Sequence, residues 1–98
     1  GNIVQAISWT LMEEVRFGED GVASLDWQSY PVIRFRDIPD IRVALVDASG
    51  HDPLGVGECA GGPAAAAIGN AVAHALGTRI RDMPMTRERI IEALMRGS

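Results

Sequence analysis

Hydrophobic residues recur at helical spacing in three parts of the chain. From Asn2 to Phe17 they form one buried face, which predicts a helix that Asn2 caps. From Pro63 to Leu76 an apolar ridge runs beside a strip of alanine and glycine, which predicts a second helix that ends at Gly77. A third helix is predicted from Arg87 to Arg96, with Thr86 as its cap.

A two-residue alternation predicts strands in the middle of the chain. The clearest is Ile41 to Asp47, IRVALVD, in which Ile41, Val43 and Leu45 share one face. Val32 to Phe35 is a second strand-like stretch, and GEDG at Gly18 to Gly21 is typical of a turn. The expected fold class is α+β, with three helices packed on a small, mostly antiparallel sheet.

Composition excludes several classes of function. The 98 residues are 47% hydrophobic and carry a net charge of −4, which indicates a folded segment and argues against nucleic-acid binding. No apolar run is long enough to span a membrane. The single cysteine, Cys59, excludes an internal disulfide and favours a reducing, cytoplasmic location. No ligand spacing predicts a metal site built by this chain.

Two acids near the end of the first predicted helix lie where the helix dipole disfavours negative charge. For Glu13 and Glu14 we expect solvation, or pairing with an arginine such as Arg16. Trp9, on the same helix, is interpreted as a packing residue.

The stretch Gly55 to Pro63 holds four glycines and one carboxylate, Glu58, directly before the second helix. Such a loop lets a partner approach the backbone closely, and Pro63 suits the first helical position. The free amides of that first turn would attract an anion such as a phosphate. Glu58 either caps the helix or takes part in chemistry.

The order of these segments resembles a known family. SYPVIRFRDIPDIRVALVD followed by GVGECAGGPAAAAIGNAVAHALGTRIRDMPMT resembles the C-terminal part of the molybdopterin-binding large subunit of molybdenum hydroxylases, the xanthine dehydrogenase and aldehyde oxidase family. DWQSYPVIRF and GTRIRDMPMT look most like the branch that contains nicotinate dehydrogenase and isoquinoline 1-oxidoreductase. The similarity extends over nearly the whole chain.

The resemblance implies a role for the G-x-G-E motif at Gly55 to Glu58. Glu58 would be the general base in the hydroxylation of an N-heteroaromatic or aldehyde carbon, with water as the oxygen source. Gly55, Gly57 and Glu58 would lie at the molybdenum–molybdopterin cofactor of the parent enzyme, and no metal ligand is expected from this chain. The expected partners are the remainder of the large subunit and an iron–sulfur subunit or domain. Residues 1–98 would then be a single fragment of the molybdopterin-binding domain, inactive when isolated.

Two alternatives stay open at this point. The chain could be a non-catalytic module for self-association, as a homodimer, or for docking to another subunit. It could also bind a phosphorylated ligand at the helix entrance near Pro63.

Overall fold

The computed structural model describes residues 1–97, in which three α-helices make up most of the regular structure. The helices are α1 (Asn2–Leu11), α2 (Gly61–Leu76) and α3 (Arg87–Met95). A short hairpin, β1 (Phe17–Gly18) and β2 (Gly21–Val22), and a 3-10 helix, Phe35–Asp37, lie between α1 and α2.

Helix α1 differs from its prediction at both ends. It ends at Leu11 rather than near Phe17. Its N-cap is Gly1, and no side chain caps it, so the prediction that Asn2 is the cap is wrong. The early end has a physical reason, because Glu13 and Glu14 would face the negative end of the dipole if the helix continued. Both acids bind other segments instead.

The sheet is much smaller than predicted. Phe17 pairs with Val22 and Gly18 with Gly21 in the antiparallel hairpin, which confirms the turn between them. The other two strand predictions are wrong for residues 1–97: Val32 to Phe35 leads into the 3-10 helix, and residues 41–47 lie outside regular structure. A strand needs a neighbour to accept its backbone hydrogen bonds, and the described chain offers none there. The α+β class therefore stays a prediction for the complete fold.

Helix α2 packs against α1. It begins at Gly61, so Pro63 is its third residue and not its first. Gly69 is buried, and a Cβ built on it would lie 3.3 Å from Met85 Cε. Gly69 therefore makes a close contact with the side chain of a methionine that lies outside the helices. Gly77 ends α2 as predicted, with a left-handed φ of 72° and its N–H donating to Ala73 O.

Helix α3 is short and is held at its start. Thr86 caps it as predicted, because its Oγ1 accepts a hydrogen bond from Arg89 N at 3.3 Å. The Arg89 guanidinium also donates to Pro84 O, and its other amino group forms an ion pair with Glu14. The ion-pair partner of Glu14 is thus an arginine 75 residues away rather than Arg16.

Polar contacts to α1 and to the residues directly after it order the remaining segments. Ser8 Oγ accepts a hydrogen bond from Ile33 N at 3.0 Å, and Thr10 O accepts one from Met85 N at 2.7 Å. The hydroxyl of Tyr30 donates to Glu13 Oε1 at 3.0 Å. Apolar burial is limited by comparison, since the buried apolar side chains of the described residues are few. They are Ala6, Ile80, Met85 and Pro84.

The chain leaves an unusually large surface open to solvent. Its accessible area is 7969 Å², whereas a compact monomer of this mass exposes about 5,400 Å². The radius of gyration is 16.6 Å, compared with about 13 Å for a compact domain of this length. Much of the excess is apolar: Phe35 is 95% exposed and Leu45 93% exposed. No helix among residues 1–97 is long and apolar enough to cross a membrane.

We predict that the ion pair between Glu14 and Arg89 fixes α3 to the segment directly after α1. Both side chains are about one-third exposed, so a double-mutant cycle of Glu14→Gln and Arg89→Gln in urea unfolding should give a coupling energy of about 1 kcal/mol. The control is Arg87→Gln, which alters an exposed arginine of the same helix and should show no coupling to Glu14. Equal coupling for Arg87 and Arg89 would contradict this assignment.

Candidate functional site

Glu58 lies in an exposed loop directly before α2. Every residue from 42 to 59 is exposed. Among residues 1–97, the Glu58 carboxylate forms no hydrogen bond and no ion pair. The side chain is therefore neither turned into the interior nor neutralised by an arginine, and it is free to meet a group from outside the chain.

Glu58 does not cap α2. The N-cap is Ala60, and no side chain accepts a hydrogen bond there. Only the main chain of Glu58 contributes to the helix entrance, because its carbonyl oxygen accepts a hydrogen bond from Gly61 N at 3.3 Å. That bond also occupies one of the amides that the phosphate-binding alternative requires. Of the two roles expected for the carboxylate, capping is excluded.

Gly55 and Gly57 border open space. A Cβ built on either residue would meet no atom within 4 Å, and neither has a positive φ. The fold of the described chain therefore does not require glycine at these two positions. A group that approaches the backbone from outside would require it, because a side chain would stand in its way.

Helix α1 holds the entrance of α2 at two points. Asn2 Oδ1 accepts a hydrogen bond from Ala60 N at 2.8 Å. One ring atom of Trp9, Cζ3, lies 3.8 Å from where a Cβ on Gly61 would be, so the indole packs against that glycine. The sequence prediction missed Asn2 as part of the site, because an asparagine at a helix start was interpreted as a local cap.

The other residues that could carry chemistry are dispersed. Cys59 is exposed, and its thiol donates weakly to Val56 O at 3.5 Å. His51 and His74 are also exposed. In the described part of the chain, no group of three or more His, Cys, Asp or Glu side chains is placed to hold a metal ion.

A second surface feature is a shallow hollow beside the turn from Asp26 to Tyr30. It is lined by Ser24, Leu25, Asp26, Trp27 and Tyr30. Asp26 Oδ1 accepts hydrogen bonds from the N–H and hydroxyl of Ser29, both at 2.8 Å. The backbone bond from Ser29 is the main reason that the pKa of Asp26 is below its usual value. At the end of the turn, the hydrogen bond to Glu13 raises the pKa of Tyr30.

Comparison with known proteins identifies relatives over almost all of the chain. No family model matches it. It is 44% identical over 94 residues to a nicotinate dehydrogenase subunit of Pseudomonas putida, which covers 96% of this chain and 8% of that protein. It is 33% identical over 100 residues to a probable xanthine dehydrogenase subunit of Bacillus subtilis, covering 98% of this chain and 13% of the relative. It is also 33% identical over 85 residues to the beta subunit of isoquinoline 1-oxidoreductase of Brevundimonas diminuta. This match covers 87% of this chain and 11% of the relative.

The chain is a homologue of molybdenum hydroxylase subunits. This confirms the family resemblance that the order of the segments indicated. The chain spans about a tenth of the length of these molybdenum hydroxylase relatives. It thus corresponds to one segment of subunits that are much longer.

We predict that the pKa of the Tyr30 phenol is raised. Tyr30 is the single tyrosine of the 98 residues. Absorbance at the phenolate band should titrate above the usual value of about 10, because deprotonation breaks the bond to Glu13. A raised pKa means that the contact stabilises the fold while the phenol is protonated, and this contribution is lost as pH rises through the folded pKa. Glu13→Gln should move the pKa of the phenol back towards its usual value. Helix content is followed by circular dichroism on the same samples. An ordinary titration in the wild type would contradict the contact.

Proposed function

We propose that this chain is the segment of a molybdenum hydroxylase large subunit that supplies the general-base glutamate, Glu58. The reaction is the hydroxylation of an N-heteroaromatic or aldehyde carbon with water as the oxygen source. Its partners are the remainder of the large subunit and an iron–sulfur subunit or domain, and the isolated 98 residues are inactive. The free, exposed carboxylate in the G-x-G-E loop is the observation that carries the proposal.

The exposed thiol of Cys59 suits a reducing location such as the cytoplasm.

The residues of the loop fit a bulky molybdenum–molybdopterin cofactor. The open space beside Gly55 and Gly57 leaves the backbone accessible to a large group. These two glycines and Glu58 would face it, and the positive end of α2 lies directly after them. When bound, the cofactor supplies the oxygen-transfer and hydride-accepting chemistry.

The part played by Glu58 is proton transfer. A carboxylate oxygen takes the proton from the oxygen nucleophile as that oxygen attacks the substrate carbon, which keeps the nucleophile reactive. This role requires a carboxylate with no competing partner, and Glu58 has none among residues 1–97. It also requires a fixed position, because a general base acts only within hydrogen-bond reach of the proton.

We predict that Glu58→Gln abolishes most of the turnover of the complete enzyme. The amide has the same shape but cannot accept the proton, so kcat should fall by roughly 10²- to 10⁴-fold. Molybdenum and pterin contents are measured on the same sample and should be unchanged. The matched control is Glu19→Gln, an exposed glutamate in the hairpin turn, which should keep wild-type turnover. Full activity of Glu58→Gln with normal cofactor content would remove the assignment.

A specific observation favours a docking role in addition to the catalytic one. The chain exposes roughly 2,500 Å² more than a compact monomer would. Residues 41–47 keep the alternation of a half-buried strand, yet Val43 and Leu45 are exposed and the backbone lacks a partner among residues 1–97. We propose that this stretch pairs with a strand edge in the remainder of the large subunit. The relatives, which are about ten times longer, support that occupant over a second copy of the chain.

We predict that the amides of residues 41–47 are protected from hydrogen exchange in the complete subunit and unprotected in the isolated chain. Val43→Asp places a charge on the apolar face and should reduce this protection strongly. Ala44→Asp, on the opposite face, is the matched control and should reduce it less. Equally fast exchange of these amides in the complete subunit and the isolated chain would show that no strand pairing occurs.

A further inference from the structure

We propose that Asn2 is a positioning residue for Glu58, because it fixes the turn that carries this glutamate to helix α1. The inference rests on the proposed function of Glu58 as the base. The observation behind it is the hydrogen bond from Ala60 N to Asn2 Oδ1 at 2.8 Å, which joins residues 58 positions apart.

The surrounding loop has few other restraints. The remaining hydrogen bonds described for residues 42–60 join near neighbours, such as Ser49 N with Asp47 Oδ1 and His51 N with Ala48 O. Such local bonds shape turns but do not fix the loop relative to the helices. The bond to Asn2 does, because α1 is itself held by its packing on α2 and by the hydrogen bonds of Ser8 and Thr10 to two other segments.

The restraint acts on the turn that carries Glu58. Glu58 O accepts a hydrogen bond from Gly61 N, so these residues form one closed turn with Ala60 inside it. Asn2 holds that turn from one side through the Ala60 amide. Trp9 packs against Gly61 at its end. Asn2 and Trp9 are seven residues apart, two helical turns, and therefore lie on the same face of α1.

The amide oxygen of Asn2 has no competing role in its own helix. It does not cap α1, whose N-cap makes no side-chain hydrogen bond. The nitrogen of the same amide, Nδ2, donates to Gln5 Oε1 at 3.2 Å, so the two ends of the group have different partners. The oxygen is thus directed away from α1 and towards the Ala60 amide. Loss of this bond should let the turn move, and a displacement of the base lowers kcat more than it affects substrate binding.

The test uses variants of the complete enzyme. Asn2→Ala removes the acceptor, and the Ala60 amide should exchange faster while kcat falls roughly ten- to a hundredfold at little change in KM. Asn2→Asp keeps an acceptor oxygen and should restore both readouts. Gln5→Ala removes the neighbouring bond but leaves the acceptor, so the Ala60 amide should stay protected. Cofactor content and melting temperature are measured for each variant.

A double variant separates positioning from general stability. If Asn2 acts through Glu58, Asn2→Ala should cause no further loss of turnover in the Glu58→Gln background. A full additional loss there, or unchanged exchange of the Ala60 amide in Asn2→Ala, would overturn the proposal. If Glu58→Gln alone keeps full activity, the proposed function fails. In that case, faster exchange of the Ala60 amide in Asn2→Ala would still show that the hydrogen bond to Asn2 holds the turn. Failure of the proposed function can thus be distinguished from failure of the positioning role.

Discussion

The structure depends on one short helix whose polar groups bind distant parts of the chain. With so few buried apolar residues, the fold cannot rely on a large core. Instead, α1 and the two acids after it hold the rest of the chain through five contacts. The contacts involve Asn2 with Ala60, Ser8 with Ile33, Thr10 with Met85, Glu13 with Tyr30 and Glu14 with Arg89. These bonds are directional, so they fix segment positions that apolar contact alone would leave variable.

This arrangement explains how a loop with little side chain can be open to solvent and still be held at one end. The glycines around Glu58 leave space for a large partner, but they also leave the backbone free to move. The hydrogen bond from Ala60 N to Asn2 of α1 restricts that freedom at the end of the loop, beside α2. It leaves the approach to Gly55 and Gly57 open. Accessibility and positioning are thus supplied by different residues. The exposed apolar surface beyond the loop fits a segment whose remaining contacts lie in a longer subunit.

The sequence predicted those features that depend on nearby residues. The end of α2 and the start of α3 follow from Gly77 and Thr86, whose effects act within one helical turn. The motif that contains Glu58 and the family were also evident from the order of residues. Sequence reasoning failed at Ile41 to Asp47, because a period of two indicates which face would be buried and does not supply the neighbouring strand.

By itself, therefore, the sequence determined the three helices, the hairpin turn and the glycine loop that contains Glu58. Only the tertiary structure decided which partners Glu13 and Glu14 bind, and that Asn2 binds Ala60 rather than capping its own helix. The physical reason is distance along the chain. A hydrogen bond between residues 58 or 75 positions apart leaves no periodicity in the sequence, since it depends on how the helices meet.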